Sequence, residues 1–222
     1  MGYGITVRIK GPCACFTRPE LHTERTSYDV ITPSAARGIL EACYWKPAIR
    51  WIIDGITVLN PIKFESIRRN EVGDKASFDN AKSVMGKGSG VLGISATEKR
   101  QQRNTLYLTD VDYLVEAHFE LTDQAEADDT PEKHYNIALR RLRKGQCFSA
   151  PYLGCREFAA DVHLIENGDV VPTSYYAAEE NHDLGYMLYD LDFSDPDRPE
   201  PLFFRAAMVY GRIDVAGAEV IK

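Results

Sequence analysis

Tyr44, Lys46 and His118 are residues whose side chains could carry acid–base chemistry in this chain. Tyr44 and Lys46 stand two positions apart in the stretch TPSAARGILEACYWKP, and His118 lies in the later stretch VDYLVEAHFEL. A phenol can orient or deprotonate a hydroxyl group, an imidazole can exchange a proton near neutral pH, and an ammonium group can stabilise negative charge. Spacing alone leaves a simpler alternative open, in which Tyr44 and Trp45 are packing aromatics and His118 is a solvated surface residue.

The stretch that holds Tyr44, residues 32–47, is predicted to be a helix because both of its ends are marked. Thr32 can cap the N-terminus, and Pro47 stops the helix. At about 100° per residue, one face collects the apolar side chains of Ala36, Ile39, Leu40 and Cys43. Tyr44 falls on the flank of this face, in line with Arg37, so we expect the phenol and the guanidinium to share one edge.

The stretch that holds His118, residues 111–121, alternates like a half-buried strand. One face collects Val111, Tyr113, Val115, Ala117, Phe119 and Leu121. His118 lies on the other face, between Glu116 and Glu120, where an imidazole is available for proton transfer.

The order of the predicted elements indicates a fold class. Strands are predicted at residues 3–9 (resuming at 13–16), 49–59, 62–67, 104–108, 111–121, 155–158 and 162–165, and a second helix at 131–144. A turn at residues 109–110 joins two of these strands. The pattern predicts an α+β fold with a ferredoxin-like, RRM-related βαββαβ core over residues 1–165. Residues 166–222 read as a small, acidic, β-rich C-terminal extension with strands at 185–193 and 202–210.

Residues 68–103 form a long basic insertion without a clear period, which carries the runs GKGSG and KRQQR. The net charge is −7, but it is unevenly distributed. Residues 37–103 contain 12 Lys and Arg against 7 Asp and Glu, whereas the rest of the sequence contains 14 Lys and Arg against 26 Asp and Glu. Charge acts locally at a screening length of about 8 Å, so this region can hold phosphates within an acidic chain; a solvated charged surface is the alternative. The candidates for phosphate contact are Arg37, Arg50, Arg68, Arg69, Lys87, Lys99, Arg100 and Arg103.

Composition excludes several classes of protein. The 222 residues contain no apolar run near the roughly 20 residues that a membrane span needs, and no targeting pattern opens the chain. We therefore expect a cytoplasmic protein with no membrane partner. The five cysteines are scattered without metal-ligand spacing, so we expect reduced, mostly buried thiols and neither a metal nor a cofactor.

Five segments carry a resemblance to a known family: RPELHTERTSYDVITPSAARGILEACYWKPAIRW, NPIKFESIRRNEV, RQQRNTLYLTDVDYLVEAHFELTD, GQCFSAPYLGCREF and DLGYMLYDLDF. Spread over nearly the whole chain, they resemble the CRISPR-associated Cas five family in its type I-C form. The resemblance implies a metal-independent endoribonuclease that cuts the hairpin repeat of precursor CRISPR RNA. The nucleophile would be the RNA's own 2′-hydroxyl, and the product a 2′,3′-cyclic phosphate.

The resemblance also implies a catalytic site. It maps the family's tyrosine to Tyr44 and its histidine to His118, and so places the two side chains next to each other. Tyr44 would orient or deprotonate the 2′-hydroxyl, helped by a cation such as Arg37, and His118 would act as general acid. The family's lysine stands two residues before the histidine, where this chain has Glu116, so Lys46 is the candidate for the missing charge.

The partners that the resemblance implies are the CRISPR repeat RNA hairpin, the 5′ handle of the mature CRISPR RNA, the backbone and large subunits of the type I-C interference complex, and DNA within that complex. The alternative function is a non-catalytic subunit that clamps the 5′ handle. A generic RRM-type RNA binder fits less well, because the strands lack that module's aromatic signature.

Overall fold

A nine-stranded antiparallel sheet and three α-helices make up the fold in the computed structural model, which describes residues 3–21, 23–195 and 197–222. The strands are β1 (Ile5–Ala14), β2 (Ile49–Val58), β3 (Phe64–Val72), β4 (Arg100–Leu121), β5 (Asp161–Ile165), β6 (His182–Asp192), β7 (Glu200–Val209), β8 (Arg212–Asp214) and β9 (Val220–Ile221). The helices are α1 (Pro33–Cys43), α2 (Phe78–Lys87) and α3 (Pro131–Arg143). The main sheet order is β5-β1-β4-β2-β8-β7-β6, with β3 on β4 and β9 on β7.

The hydrophobic core lies between one face of the sheet and the helices α1 and α3. The apolar face predicted for β4 is confirmed for Val111, Tyr113, Val115, Ala117 and Phe119, which are all buried, whereas Leu121 at the end of the strand is exposed. The apolar face predicted for α1 is confirmed as well, since it buries the four predicted residues. These periodic stretches therefore determine which face of the sheet the helices cover.

The end of α1 differs from the prediction. Thr32 caps the helix as expected, its hydroxyl accepting from the N–H of Ala35 at 3.2 Å. The helix, however, ends at Cys43, and Tyr44 is the C-cap residue in an extended conformation, with φ −152° and ψ 121°. The indole of Trp51 donates to the carbonyl of Tyr44 at 2.8 Å, because the chain turns at once into β2. Tyr44 therefore does not share a helical edge with Arg37, and that prediction is wrong.

The two strands predicted at 104–108 and 111–121 are parts of the single long strand β4. Asp110, with φ 53°, marks the place of the predicted turn, but the chain continues in the same strand. The strand that pairs with β4 changes at this point. Residues up to Leu108 pair with β3, and residues from Tyr113 onward pair with β2. The predicted basic insertion is not irregular: β3, α2 and the first part of β4 form an arm, residues 64–108.

The C-terminal strands continue the same sheet, with β8 pairing with β2. Met187, Phe204, Ala206 and Met208 belong to the same hydrophobic core as β1 and β4. No strand forms at residues 155–158, which turn instead, so that prediction is wrong. All five cysteines are free thiols, three of them buried, as expected. No helix in the described part of the chain is long and apolar enough to span a membrane.

Candidate functional site

A cavity of about 990 Å³ opens between α1, β6 and the loop of residues 146–160, which we call the cavity loop. Tyr44 and Lys46 both line it, so the structure brings these two predicted site residues together. Lys46 is exposed and makes no ion pair within the described residues. Arg141, from the last turn of α3, also lines the cavity.

Exposed aromatic rings surround this cavity. Trp45 comes from the end of α1, and Phe148 and Tyr152 come from the cavity loop; their side chains are 52%, 87% and 41% exposed. Solvent-exposed rings beside cations are a common platform for unpaired RNA bases, which stack on them. The surface thus combines stacking groups with the positive charge of Lys46.

Tyr44 is held by a buried histidine that the sequence did not reveal as its partner. Its hydroxyl lies 2.7 Å from Nδ1 of His134, and Nε2 of His134 lies 3.1 Å from Oδ1 of Asp129. His134 is 2% exposed and Tyr44 is 3% exposed. The carboxylate of Asp129 is fixed in turn by the N–H of Glu126 and the ammonium of Lys133, each at 3.2 Å. Tyr44, His134 and Asp129 therefore form a continuous hydrogen-bonded chain.

The electrostatics of Tyr44 do not favour a phenolate. Burial raises its pKa above the usual value of a phenol, and the guanidinium of Arg141, 5.5 Å from the ring centre, opposes this only in part. Arg37, the cation expected to help, binds Glu41 and Asp190, each at 2.7 Å. Its charge is therefore compensated elsewhere, because α1 directs it toward β6 rather than toward Tyr44.

His118 lies on the opposite face of the sheet from Tyr44. It neighbours Phe119, whose ring points into the helix-covered core with Trp51, so alternation along β4 turns His118 to the other side. There its Nδ1 bonds Asp54 at 2.8 Å. The expected contact between His118 and Tyr44 is therefore wrong, whereas the catalytic role of each residue stays a prediction.

Glu116, which replaces the expected lysine, is paired with a cation from another strand. Its carboxylate accepts from Arg212 of β8 at 2.6 Å, and this bond raises the pKa of Arg212 further. The Arg212 guanidinium lies directly over Gly55, in the space that a Cβ at this position would occupy. The positive charge near position 116 thus comes from Arg212, which sequence spacing could not indicate.

The eight predicted phosphate contacts fall into two groups. Four are engaged in ion pairs: Arg37, Arg69 with Glu157, Lys99 with Asp74, and Arg103 with Glu71. Arg50, Arg68, Lys87 and Arg100 are exposed and make no ion pair within the described residues. Three of these four lie on the arm, so the arm carries most of the uncompensated charge among the candidates.

The cavity loop joins the arm to the cavity. On the cavity side, the N–H of Phe148 donates to the carbonyl of Ala42 in α1 at 2.7 Å. On the arm side, the ring of Phe158 stacks on Tyr107, with ring centres 5.6 Å apart, and the guanidinium of Arg69 lies over it. Because one loop forms both contacts, the arm and the cavity form a continuous surface.

Gly154 lets the cavity loop approach β1. Its φ is +81°, and a Cβ there would overlap the carbonyl oxygen of Cys15. An L-residue with a side chain is strained at this φ even without the overlap. The sequence gives no sign of this requirement, which arises only when residues distant in the chain meet.

A signal for His134 does exist in the sequence. His134, Ala138 and Leu142 are spaced four residues apart on the predicted second helix, and these three are its buried residues. A polar side chain on the apolar face of a helix needs a hydrogen-bond partner. The partner itself, 90 positions away, could not be predicted.

Comparison with known proteins identifies the family. Residues 4–216 match the sequence profile of the family described as CRISPR-associated protein (Cas_Cas5). The chain belongs to the Cas5 family. The family resemblance inferred from the five sequence segments is therefore confirmed.

Relatives of this Cas5 family member match along nearly its whole length. A protein of Mannheimia succiniciproducens named CRISPR pre-crRNA endoribonuclease Cas5d is 49% identical over 217 residues, 97% of this chain and 96% of the relative. A protein of the same name from Thermus thermophilus is 42% identical over 214 residues, 96% of this chain and 82% of the relative. A crystal structure described as a CRISPR-associated protein superposes with a TM-score of 0.70, at 26% identity, over 99% of this chain and 96% of that one.

Proposed function

We propose that this protein is an endoribonuclease that cuts the hairpin repeat of precursor CRISPR RNA at the cavity around Tyr44. Two relatives that match nearly the whole chain carry the name pre-crRNA endoribonuclease. In this chain the proposal rests on one observation: Tyr44 lines a cavity rimmed by aromatic and cationic side chains and is hydrogen-bonded to a proton acceptor, His134.

The reaction we propose needs no metal ion. The 2′-hydroxyl beside the scissile bond attacks the phosphorus, the 5′-oxygen leaves, and a 2′,3′-cyclic phosphate forms. The protein must orient the hydroxyl, accept its proton and stabilise the charge on the phosphoryl oxygens. Tyr44 would perform the first two tasks, and Lys46 would supply the charge.

The RNA would lie along the continuous surface of arm and cavity. Exposed cations of the arm, among them Arg68, Lys87 and Arg100, would hold phosphates of the stem. Unpaired nucleotides at the edge of the stem would stack on Trp45, Phe148 or Tyr152, because single-stranded bases are the usual targets of sequence-specific contact.

The same surface would retain the 5′ handle after cleavage, as a subunit of the type I-C interference complex with its backbone and large subunits. The order β5-β1-β4-β2 together with α1 and α3 supports a ferredoxin-like, RRM-related core for residues 1–165. Residues 166–222 would be the C-terminal extension, and their strands β6, β7, β8 and β9 belong to the same sheet.

A second location for the same reaction lies on the opposite face. His118 bonds Asp54 there, and Arg212 provides a cation nearby. Single substitutions separate the two locations. If Tyr44→Phe lowers the cleavage rate by about 10² or more and His118→Ala does not, the reaction takes place in the cavity; the reverse result places it beside His118. Losses in both variants mean that the RNA reaches both faces.

The function is tested by incubating the protein with a repeat hairpin in excess chelator, beside the same RNA with a 2′-deoxy nucleotide at the scissile position. The proposal predicts cleavage of the first RNA and not of the second, with cyclic phosphate ends. Tight binding of both without cleavage would instead establish the alternative, a non-catalytic subunit that binds the 5′ handle.

A further inference from the structure

The chain from Tyr44 through His134 to Asp129 has the connectivity of a proton relay. A carboxylate only accepts hydrogen bonds, so the contact of 3.1 Å between Asp129 and Nε2 requires a proton on that nitrogen. In the neutral ring Nδ1 is then bare, and it accepts the hydroxyl proton of Tyr44 at 2.7 Å. The lone pairs of the phenol oxygen stay available to accept another hydrogen bond.

We infer that His134 takes up the phenol proton of Tyr44 while Tyr44 accepts the proton of the attacking 2′-hydroxyl, with Asp129 fixing the ring tautomer. The inference rests on the proposed function and extends it to a residue outside the site that the sequence predicted. His134 does not touch the RNA; it is a positioning residue that acts through Tyr44.

The relay balances every proton. The O–H bond of the ribose breaks as its proton joins the oxygen of Tyr44, and the O–H bond of Tyr44 breaks as its proton joins Nδ1 of His134. The 2′-oxygen uses the freed electron pair to bond the phosphorus, and the bond from phosphorus to the 5′-oxygen breaks. The 5′-oxygen takes a proton from water, and the imidazolium returns its proton to the hydroxide so formed.

The relay explains how a buried phenol can serve as a base. Burial raises the pKa of Tyr44, so a stable phenolate is disfavoured, and Arg37 is committed to Glu41 and Asp190. In the relay Tyr44 never carries a full negative charge, because it loses one proton as it gains another. The transient positive charge falls on His134, where the carboxylate of Asp129 stabilises it.

The groups that face His134 fit this role. Asp129, from the loop before α3, and Tyr44, from the end of α1, bond its two ring nitrogens. Two cations of α3 lie one contact further away: Lys133 pairs with Asp129, and Arg141 lies over the ring of Tyr44. The neighbouring group on β4 is the ring of Phe119, which has no charge, with its centre 6.3 Å away. The ion pair of Asp129 with Lys133, at 3.2 Å, keeps the carboxylate ionised and in place.

The test compares His134→Asn with the parent protein in single-turnover cleavage of the hairpin in chelator. Asparagine can place a carbonyl oxygen near the position of Nδ1 and still accept from Tyr44, but it cannot take up a proton. We expect the cleavage rate to fall by about 10² with hairpin affinity unchanged. His163→Asn is the matched control, since His163 forms an exposed ion pair with Asp161. This variant should cleave the hairpin at the parental rate.

A His134→Asn variant that binds the hairpin and cleaves it at the parental rate would overturn the relay. If the parent protein itself does not cleave the hairpin, the proposed function is wrong, and the hydrogen bonds among Tyr44, His134 and Asp129 are tested separately by ¹⁵N NMR of the imidazole rings. Tyr44→Phe should then shift the Nδ1 resonance of His134. An unchanged resonance would show that the hydrogen bond between Tyr44 and His134 is absent.

Discussion

Replacing Tyr44 with phenylalanine removes one oxygen atom and breaks one buried hydrogen bond, so its effect on folding can be worked out from the structure. The hydroxyl lies 2.7 Å from Nδ1 of His134, and the two residues are 3% and 2% exposed. Without the hydroxyl, Nδ1 has no other hydrogen-bond partner in the described part of the chain. A buried polar atom left unpaired costs about 1–3 kcal/mol of the free energy of unfolding.

This cost should be visible as a lower melting temperature. For a chain of about this length, 1 kcal/mol corresponds to about 2–4 °C, so Tyr44→Phe should lower Tm by roughly 2–12 °C. Urea unfolding of the free protein measures the same change as a free energy. Tyr107→Phe is the matched control: its hydroxyl donates to Glu65 at 3.0 Å on the surface, and its loss should change stability by less than about 0.5 kcal/mol.

The stability measurement is independent of the RNA, and so it separates folding from chemistry. At a temperature where both proteins are folded, we expect Tyr44→Phe to cleave about 10² more slowly than the parent. A Tyr44→Phe protein as stable as the parent would show that the hydrogen bond between Tyr44 and His134 does not form in solution. The proton relay would then lack the contact between Tyr44 and His134 on which it depends.

Other predictions test the surroundings of the site. Gly154→Ala should lower the free energy of unfolding by about 1–3 kcal/mol and weaken hairpin binding, as seen by urea unfolding and by titration, because the cavity loop must move away from β1. Replacing Arg68 and Arg100 together with glutamine should weaken hairpin binding and reduce the slope of log affinity against log salt by about 2, one per lost phosphate contact. In acid, the N–H of Glu126 and then Lys133 hold the pKa of Asp129 below its usual value, so its stabilising contribution is present above that value and is lost as the pH falls below about 4. Asp129→Asn should therefore flatten the decline of the unfolding free energy below about pH 4.

Matched variants control these comparisons. Gly168→Ala also places a side chain at positive φ, +102°, but nothing lies within 4 Å of the added Cβ, so it isolates backbone strain from overlap. Equal destabilisation of the two glycine variants would contradict the overlap at Gly154. For the arm, Arg205→Gln removes an arginine of β7 that is paired with Asp183, and its salt slope should match the parent. A Gln variant of the arm with an unchanged slope would show that its cations do not meet phosphates.

Local signals in the sequence predicted much of the fold. The cap at Thr32, the apolar face of α1 and the alternation of β4 each depend on residues close together in the sequence, and the structure has all three. Such signals depend on backbone geometry and on which face meets the core, and both are set by neighbouring residues.

The site could be predicted less well, because it depends on contacts between distant residues. Tyr44 follows α1 in an extended conformation, and Trp51 of β2, seven residues further along the chain, donates to its carbonyl. This one change of backbone direction takes the phenol away from Arg37 and toward His134. The family resemblance could map Tyr44 and His118 onto the chain, but the face on which each would lie follows from the register of the strands.

Single-turnover cleavage of the repeat hairpin in excess chelator, by the parent and by Tyr44→Phe, decides whether Tyr44 cuts RNA without a metal ion. We expect the parent to cut the RNA and leave a 2′,3′-cyclic phosphate, and a 2′-deoxy nucleotide at the scissile position to block cleavage. We expect Tyr44→Phe to bind the hairpin but to cut it about 10² more slowly. Cleavage of the 2′-deoxy substrate, or a Tyr44→Phe variant that cuts at the parental rate, would contradict these expectations.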